Sequence, residues 1–159
     1  MRKSFFASAL TAGLIAGTLD ITAACIHAYI KSGTTPAQVL RYVASGAFGK
    51  DATAGGASMA AWGLLFHFLI AISFTFFFFL LAMQFPSILK RPVLTAFVYG
   101  IFVWSVMRFI VLPYFSEISP RPIVGKEAIL NSIIAAGILV ICIGLPNAFL
   151  AKSAMRRVK

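Results

Sequence analysis

Six side chains that can hold a charge or exchange hydrogen bonds lie within, or at the ends of, long apolar stretches of this 159-residue chain. They are Asp20, His27, His67, Arg108, Glu127 and Asn131. Because hydrocarbon does not solvate ions, ionisable groups at bilayer depth are rare, pair with one another and often mark ion or ligand sites. We expect Asp20 and His67 to form the core of a polar pocket that faces outward. Arg108 would be the counter-charge, and the other three would lie at the rim and entrance.

Such a pocket would bind an ion, a proton or a small polar ligand, and two alternatives follow from the same residues. In one, Asp20 and Arg108 form an ion pair that only orients the helices, as in a structural or accessory subunit of a larger membrane complex. In the other, the chain is a haem- or quinone-linked redox subunit, with His27 and His67 as haem ligands. The sequence contains no Gly-x-Ser-x-Gly, HExxH or phosphate-loop motif. We therefore predict no catalysis, no metal site and no cofactor.

The apolar stretches that carry these residues are long enough to cross a bilayer. Residues 52–89 contain no Asp, Glu, Lys or Arg, and a spanning helix needs ~20 apolar residues. In lipid, every backbone polar group must be satisfied internally, which favours helices. We predict a single all-α membrane domain over residues 1–159, a bundle of four transmembrane helices over about 5–29, 58–83, 92–112 and 127–150. Pro113 is expected to end the third helix, and Pro146 to kink the fourth.

The link between the first two spans is predicted to contain a short interfacial helix over about residues 36–47. Thr35 before Pro36 is typical of an N-cap followed by proline at the first helical position. Apolar residues then recur at helical spacing, as they do in helices that lie along a membrane surface.

Small residues at helical spacing predict where helices pack closely, since they let two backbones approach. These helix-packing glycines are Gly13, Gly17, Gly63 and Gly100. The same spacing assigns Asp20, Ala24 and His27 to one face of the first helix. It places Gly100, Trp104, Arg108 and Val111 on one face of the third helix, and Glu127, Asn131, Ala135, Ile138 and Cys142 on one face of the fourth.

Composition supports a membrane protein over a soluble one. The chain is 60% hydrophobic with 11% charged residues and a mean hydropathy of +0.95, whereas soluble domains carry ~25% charged residues. The net charge of +10 comes from Lys and Arg near the ends of apolar runs, which indicates lipid headgroups rather than nucleic acid.

The distribution of Lys and Arg predicts that both termini are cytoplasmic, since cytoplasmic loops carry the excess of basic residues. Eight basic residues lie on the side of the termini and six on the other. The eight are Arg2, Lys3, Lys90, Arg91, Lys152, Arg156, Arg157 and Lys159, and the six are Lys31, Arg41, Lys50, Arg108, Arg121 and Lys126.

Several short motifs resemble those of the YagU-like proteins, a group of small bacterial inner-membrane proteins. The matching pieces are Gly13-Leu14-Ile15-Ala16-Gly17, Phe66-His67, Phe85-Pro86-Ser87-Ile88, Gly100 with Pro113, and Glu127. The resemblance implies a four-helix fold in a bacterial inner membrane and no particular activity, and the chain departs from it at Asp20 and His27. The expected partners are the lipid bilayer and either a second copy of the chain or another membrane protein.

Overall fold

The fold is an all-helical arrangement of four long helices and one short one. A computed structural model describes residues 2–115, 117 and 122–156, with residues 2–4 and 115 described by their backbone alone. We label the helices α1 (Arg2–Ser32), α2 (Pro36–Phe48), α3 (Ala57–Gln84), α4 and α5. Helix α4 consists of Pro92–Val106, a π-helical turn Met107–Val111 and Leu112–Phe115. Helix α5 consists of Lys126–Leu139, a π-helical turn Val140–Gly144 and Leu145–Arg156.

Helices α1, α3, α4 and α5 are long and apolar enough to cross a membrane, which confirms the predicted all-α bundle with four spans. The helices extend beyond the predicted limits, most of all α5, which continues past residue 150 to Arg156. Hydropathy marks only the part of a helix in hydrocarbon, whereas backbone hydrogen bonding continues into the headgroup region, where basic side chains are favourable. With four crossings, Arg2 and Arg156 lie on the same side.

The prediction that Pro113 ends the third helix is wrong. The chain remains helical through Leu112–Phe115 because a π-helical turn precedes the proline, with the Leu112 N–H donating to the Met107 carbonyl. This wider i→i−5 turn changes the hydrogen-bonding register just before a residue that has no N–H to donate.

Helix α5 repeats this arrangement one residue before Pro146. The Leu145 N–H donates to the Val140 carbonyl, and the helix continues afterwards. The irregular turn therefore lies just ahead of the proline that was expected to kink this helix.

Helix α2 begins with the predicted Thr35 cap. The Thr35 hydroxyl accepts from the Gln38 N–H and the Gln38 side chain accepts from the Thr35 N–H, which together make a capping box. Gly49 ends the helix with a φ of 76°, a conformation that glycine adopts without steric cost. The helix packs along the first half of α3, where a methyl group on Gly63 would overlap the Leu40 carbonyl.

The four spans share a core in the half of the bundle that contains Arg2 and Arg156. Phe78 and Phe79 of α3 are fully buried there among alanines of α1 and α5 and Tyr99 of α4. Helices α4 and α5 cross so closely that a methyl group on Gly100 would overlap Val140, and one on Gly144 would overlap the Ala96 carbonyl. The core thus closes one half of the bundle with aromatic rings.

The loop between α4 and α5 is described only in part, since residues 116 and 118–121 lie outside the described residues. Within the described part, the Glu117 N–H donates to the Gly46 carbonyl at 2.9 Å. The loop therefore contacts the C-terminal end of α2.

Candidate ligand-binding cavity

A cavity of about 280 Å³ lies between the helices, in the half of the bundle that α2 adjoins. All four spans and α2 contribute to its wall. Within the described part of the chain, Asp20 and His67 are the only ionisable side chains that line it. The remaining lining residues are Ala24, Val43, Ile70, Ala71, Phe74, Val103, Met107, Ala135, Ile138, Leu139 and Ile143.

The depth of the cavity follows from the rise of an α-helix. Asp20 lies 12 residues before Ser32, and His67 lies 10 residues after Ala57, which correspond to ~18 Å and ~15 Å at ~1.5 Å per residue. The two side chains are therefore at similar depth, measured from the end of the bundle where α2 lies. Val43 of α2 closes part of the cavity.

His67 is held by a hydrogen bond to the neighbouring span. Its Nε2 lies 2.8 Å from the Gly17 carbonyl oxygen, and since a carbonyl only accepts, Nε2 carries the proton. In the neutral imidazole, Nδ1 is then a hydrogen-bond acceptor, and in the charged form it is a second donor.

The glycine at position 17 allows this hydrogen bond, because without a side chain there α1 and α3 can approach closely. A methyl group there would lie 3.0 Å from the Phe68 ring and 3.1 Å from the Ala71 methyl. Gly13, one turn earlier, would meet Ile72 at 3.0 Å. The Gly13-x-x-x-Gly17 pair thus lies at the contact that brings His67 to the α1 backbone.

The electrostatic balance of the cavity is set by Asp20. Its carboxyl interacts electrostatically with His67 and with the Cys142 thiol of α5. The described lining residues include no Lys or Arg, so the state with an ionised Asp20 and a neutral His67 carries one negative charge. Since charges interact more strongly in a low dielectric than in water, the site attracts cations in that state. Asp20 and His67 are both half-buried, and both line the cavity.

Arg108 is not among the lining residues of this cavity, in contrast to the expected convergence of Asp20, His67 and Arg108. The inward face of α4 is the reason. Gly100 is fixed against α5, and the residues that follow it into the cavity are Val103 and Met107. Val103 and Met107 are three and seven residues after Gly100, whereas Trp104 and Arg108 are four and eight residues after it. The residues of α4 that line the cavity are thus each one position earlier than predicted, which is a rotation of ~100° about the helix axis.

The three predicted rim residues also lie away from the cavity lining. His27 is half-buried on α1, seven residues beyond Asp20, a distance of ~10 Å along the helix. Glu127 is exposed in the first turn of α5, and Asn131 is half-buried one turn later. The same face of α5 does reach the cavity further on, through Ala135 and Ile138.

Some polar residues of the interior were not singled out from the sequence. Thr75 and Asn147 are fully buried, and their side-chain polar atoms have no hydrogen-bond partner within the described part of the chain. Asn147 could have been singled out from the sequence, because it is a polar residue directly after Pro146 in an otherwise apolar span.

The described residues contain no group of three or more His, Cys, Asp or Glu side chains able to hold a metal ion. No protein-family model, curated protein or solved structure matches the chain. What the fold defines is a class: a multi-pass membrane protein with four candidate spanning helices.

Proposed function

We propose that this membrane protein binds, in the cavity between its helices, a small ligand with one cationic group and an apolar body. The observation that carries the proposal is that Asp20 and His67, from two different spans, face one cavity that is otherwise apolar. Asp20 would bind the cationic group, and His67 would orient it through the ring nitrogen that is not bonded to Gly17.

Charge supports a cationic ligand. A carboxylate near the centre of a spanning helix costs ~2.5–3.5 kcal/mol on insertion scales, and among the described residues no Lys or Arg lines the cavity to offset this cost. A bound cation would supply the missing charge. An anion would add a second negative charge beside Asp20.

The shape and chemistry of the wall support an organic cation over a bare metal ion. A volume of about 280 Å³ is close to the ~300 Å³ lower limit of small-molecule sites. Ile70, Phe74 and Ile138 present apolar surface, which contacts hydrocarbon favourably. A hard cation prefers several oxygen ligands instead.

We further propose that the protein resides in a bacterial inner membrane with both termini cytoplasmic, so that the cavity lies toward the outer side. The excess of Lys and Arg on the side of the termini and the YagU-like motifs support this. Association with a second copy or another membrane protein also remains a prediction. The predicted packing glycines lie at contacts within one chain, so such an association would need another surface.

The test is a series of n-alkylammonium ions, from methyl to hexyl, added to the purified protein in detergent. Calorimetric binding is expected to strengthen with chain length, by up to ~0.8 kcal/mol per CH₂ buried, until the cavity is full. The corresponding alkyl carboxylates should not bind, because they place a second negative charge near Asp20.

Asp20→Asn should remove alkylammonium binding while the protein remains folded. The matched control is Asp51→Asn, which removes a carboxylate that is exposed in the 3₁₀ turn Lys50–Ala54. His67→Gln should weaken binding less, since a Gln amide can still donate to the Gly17 carbonyl. Equal binding by wild type and Asp20→Asn would refute the proposal. A lower thermal stability of Asp20→Asn with no alkylammonium binding by the wild type would favour a structural role.

A further inference from the structure

A second, larger groove lies on the outside of the bundle between α3 and α4. It has a volume of about 660 Å³ and begins at the turn that joins these two helices. Its apolar wall includes Leu81, Leu94 and Val98, and the last two are more than half exposed. At its end on the side of the turn, it is lined by the exposed side chains of Ser87, Lys90 and Arg91.

The groove continues toward the middle of the bundle. A further cavity of about 380 Å³, lined by Leu69, Ser73 and Val111, shares the Phe77 and Phe102 side chains with the groove. These two rings are stacked, with centroids 5.7 Å apart. The two concavities therefore adjoin at these rings. We call them together the apolar path, which follows α3 and has Lys90 and Arg91 at one end.

The length of this path matches one leaflet of a bilayer. From Leu81 to Leu69 is 12 residues, or ~18 Å at ~1.5 Å per residue. Half of a ~30 Å hydrocarbon core is ~15 Å. An acyl chain with its headgroup beside Lys90 and Arg91 would thus have contacts along its whole length.

The charge at the end of the path selects an anionic headgroup. The four acidic residues of the chain are Asp20, Asp51, Glu117 and Glu127, and none of them lines this groove. The Ser87 hydroxyl adds a donor next to the two cations.

We propose that the groove between α3 and α4 is a binding site for one anionic phospholipid of the leaflet on the Lys90 side. Lys90 and Arg91 bind the phosphate, and Phe77, Val98 and Phe102 contact an acyl chain. The groove shares no lining residue with the cavity of Asp20 and His67, whereas the further cavity shares Ile70 and Phe74 with it. The two assignments are tested with different ligands and different variants, so either can fail without the other.

The experiment uses native mass spectrometry of the delipidated, purified protein titrated with dioleoyl-phosphatidylglycerol or dioleoyl-phosphatidylcholine. We expect one phosphatidylglycerol to be retained in preference to phosphatidylcholine. Because basic residues near a membrane surface contribute ~1 kcal/mol each toward anionic lipid, the double variant Lys90→Gln/Arg91→Gln should bind phosphatidylglycerol about 30-fold more weakly. The control Lys152→Gln/Arg156→Gln removes the same charge from the same end of the bundle and should keep the preference.

A third variant tests the acyl-chain part of the site. Val98→Trp fills the exposed groove without altering the cations, and it should reduce phosphatidylglycerol binding. Millimolar inorganic phosphate should not displace the lipid. Equal retention of the two lipids would overturn the proposal, as would equal losses in both double variants or full displacement by phosphate.

Discussion

The substitution Gly63→Ala tests whether α2 is held against the bundle by direct backbone contact. A methyl group on Gly63 would overlap the Leu40 carbonyl and lie 3.2 Å from the Ala44 nitrogen. These are backbone atoms, so no side-chain rotation relieves the overlap, and α2 must move away by on the order of 1 Å. Overpacking of this kind costs ~1–3 kcal/mol, and the gain in helix propensity from Gly to Ala offsets at most ~1 kcal/mol.

The matched control is Gly137→Ala in α5. It is the same substitution inside a spanning helix, but a methyl group there has no atom within 4 Å. Only the gain in helix propensity from Gly to Ala remains, so Gly137→Ala should be neutral or stabilising by up to ~1 kcal/mol. The propensity gain is common to both variants and cancels, so we expect their free energies of unfolding to differ by the overpacking cost, about 1–3 kcal/mol.

Thermal unfolding in detergent, followed with a thiol-reactive fluorophore, measures this difference. Cys25 and Cys142 are free thiols and Cys142 is buried, so unfolding exposes it to the reagent. A shift of ~2–4 °C per kcal/mol gives a separation of ~2–12 °C between the melting temperatures of the two variants. If Gly63→Ala and Gly137→Ala melt together, α2 does not pack on Gly63 as described.

Three further substitutions test individual hydrogen bonds by the same assay. Thr35→Ala removes the capping box of α2 and should cost ~1 kcal/mol, while Thr34→Ala, one residue earlier and outside the box, should cost less. Thr75→Val replaces a buried hydroxyl that lacks a partner among the described residues, so it should raise stability by about 1 kcal/mol, and a loss of stability would show that the hydroxyl is bonded. Tyr99→Phe removes the hydrogen bond that Tyr99 donates to the Phe74 carbonyl and should cost ~0.5–1.5 kcal/mol, whereas an unchanged melting temperature would contradict that bond.

The spans and the start of α2 could be predicted because they depend on local information. Apolar length marks a spanning helix regardless of its neighbours, and the Thr35–Gln38 capping box is formed by residues three apart. The continuation of α4 past Pro113 could not be predicted, because it depends on a π-helical turn that sequence periodicity does not reveal.

The candidate site shows the same division. Asp20 and His67 could be identified because ionisable residues in spanning helices are uncommon, and they line one cavity. Arg108 was expected to be the counter-charge in the cavity, and this depended on the rotation of α4 about its axis. That rotation is set where Gly100 of α4 contacts α5 and Gly144 of α5 contacts α4. Both candidate faces of α4 include Gly100, so its position in the sequence does not decide which of them turns inward, and packing against α5 does.

Charge selectivity inside the cavity tests the central claim most directly. Ala24 lines the cavity one turn after Asp20, so a cysteine there, in a chain without Cys25 and Cys142, reports which reagents enter. The account predicts that a cationic methanethiosulfonate (the ethylammonium) modifies Ala24→Cys faster than the anionic ethylsulfonate reagent, and that Asp20→Asn removes this preference. Equal rates for the two reagents, or a preference that persists in Asp20→Asn, would contradict it.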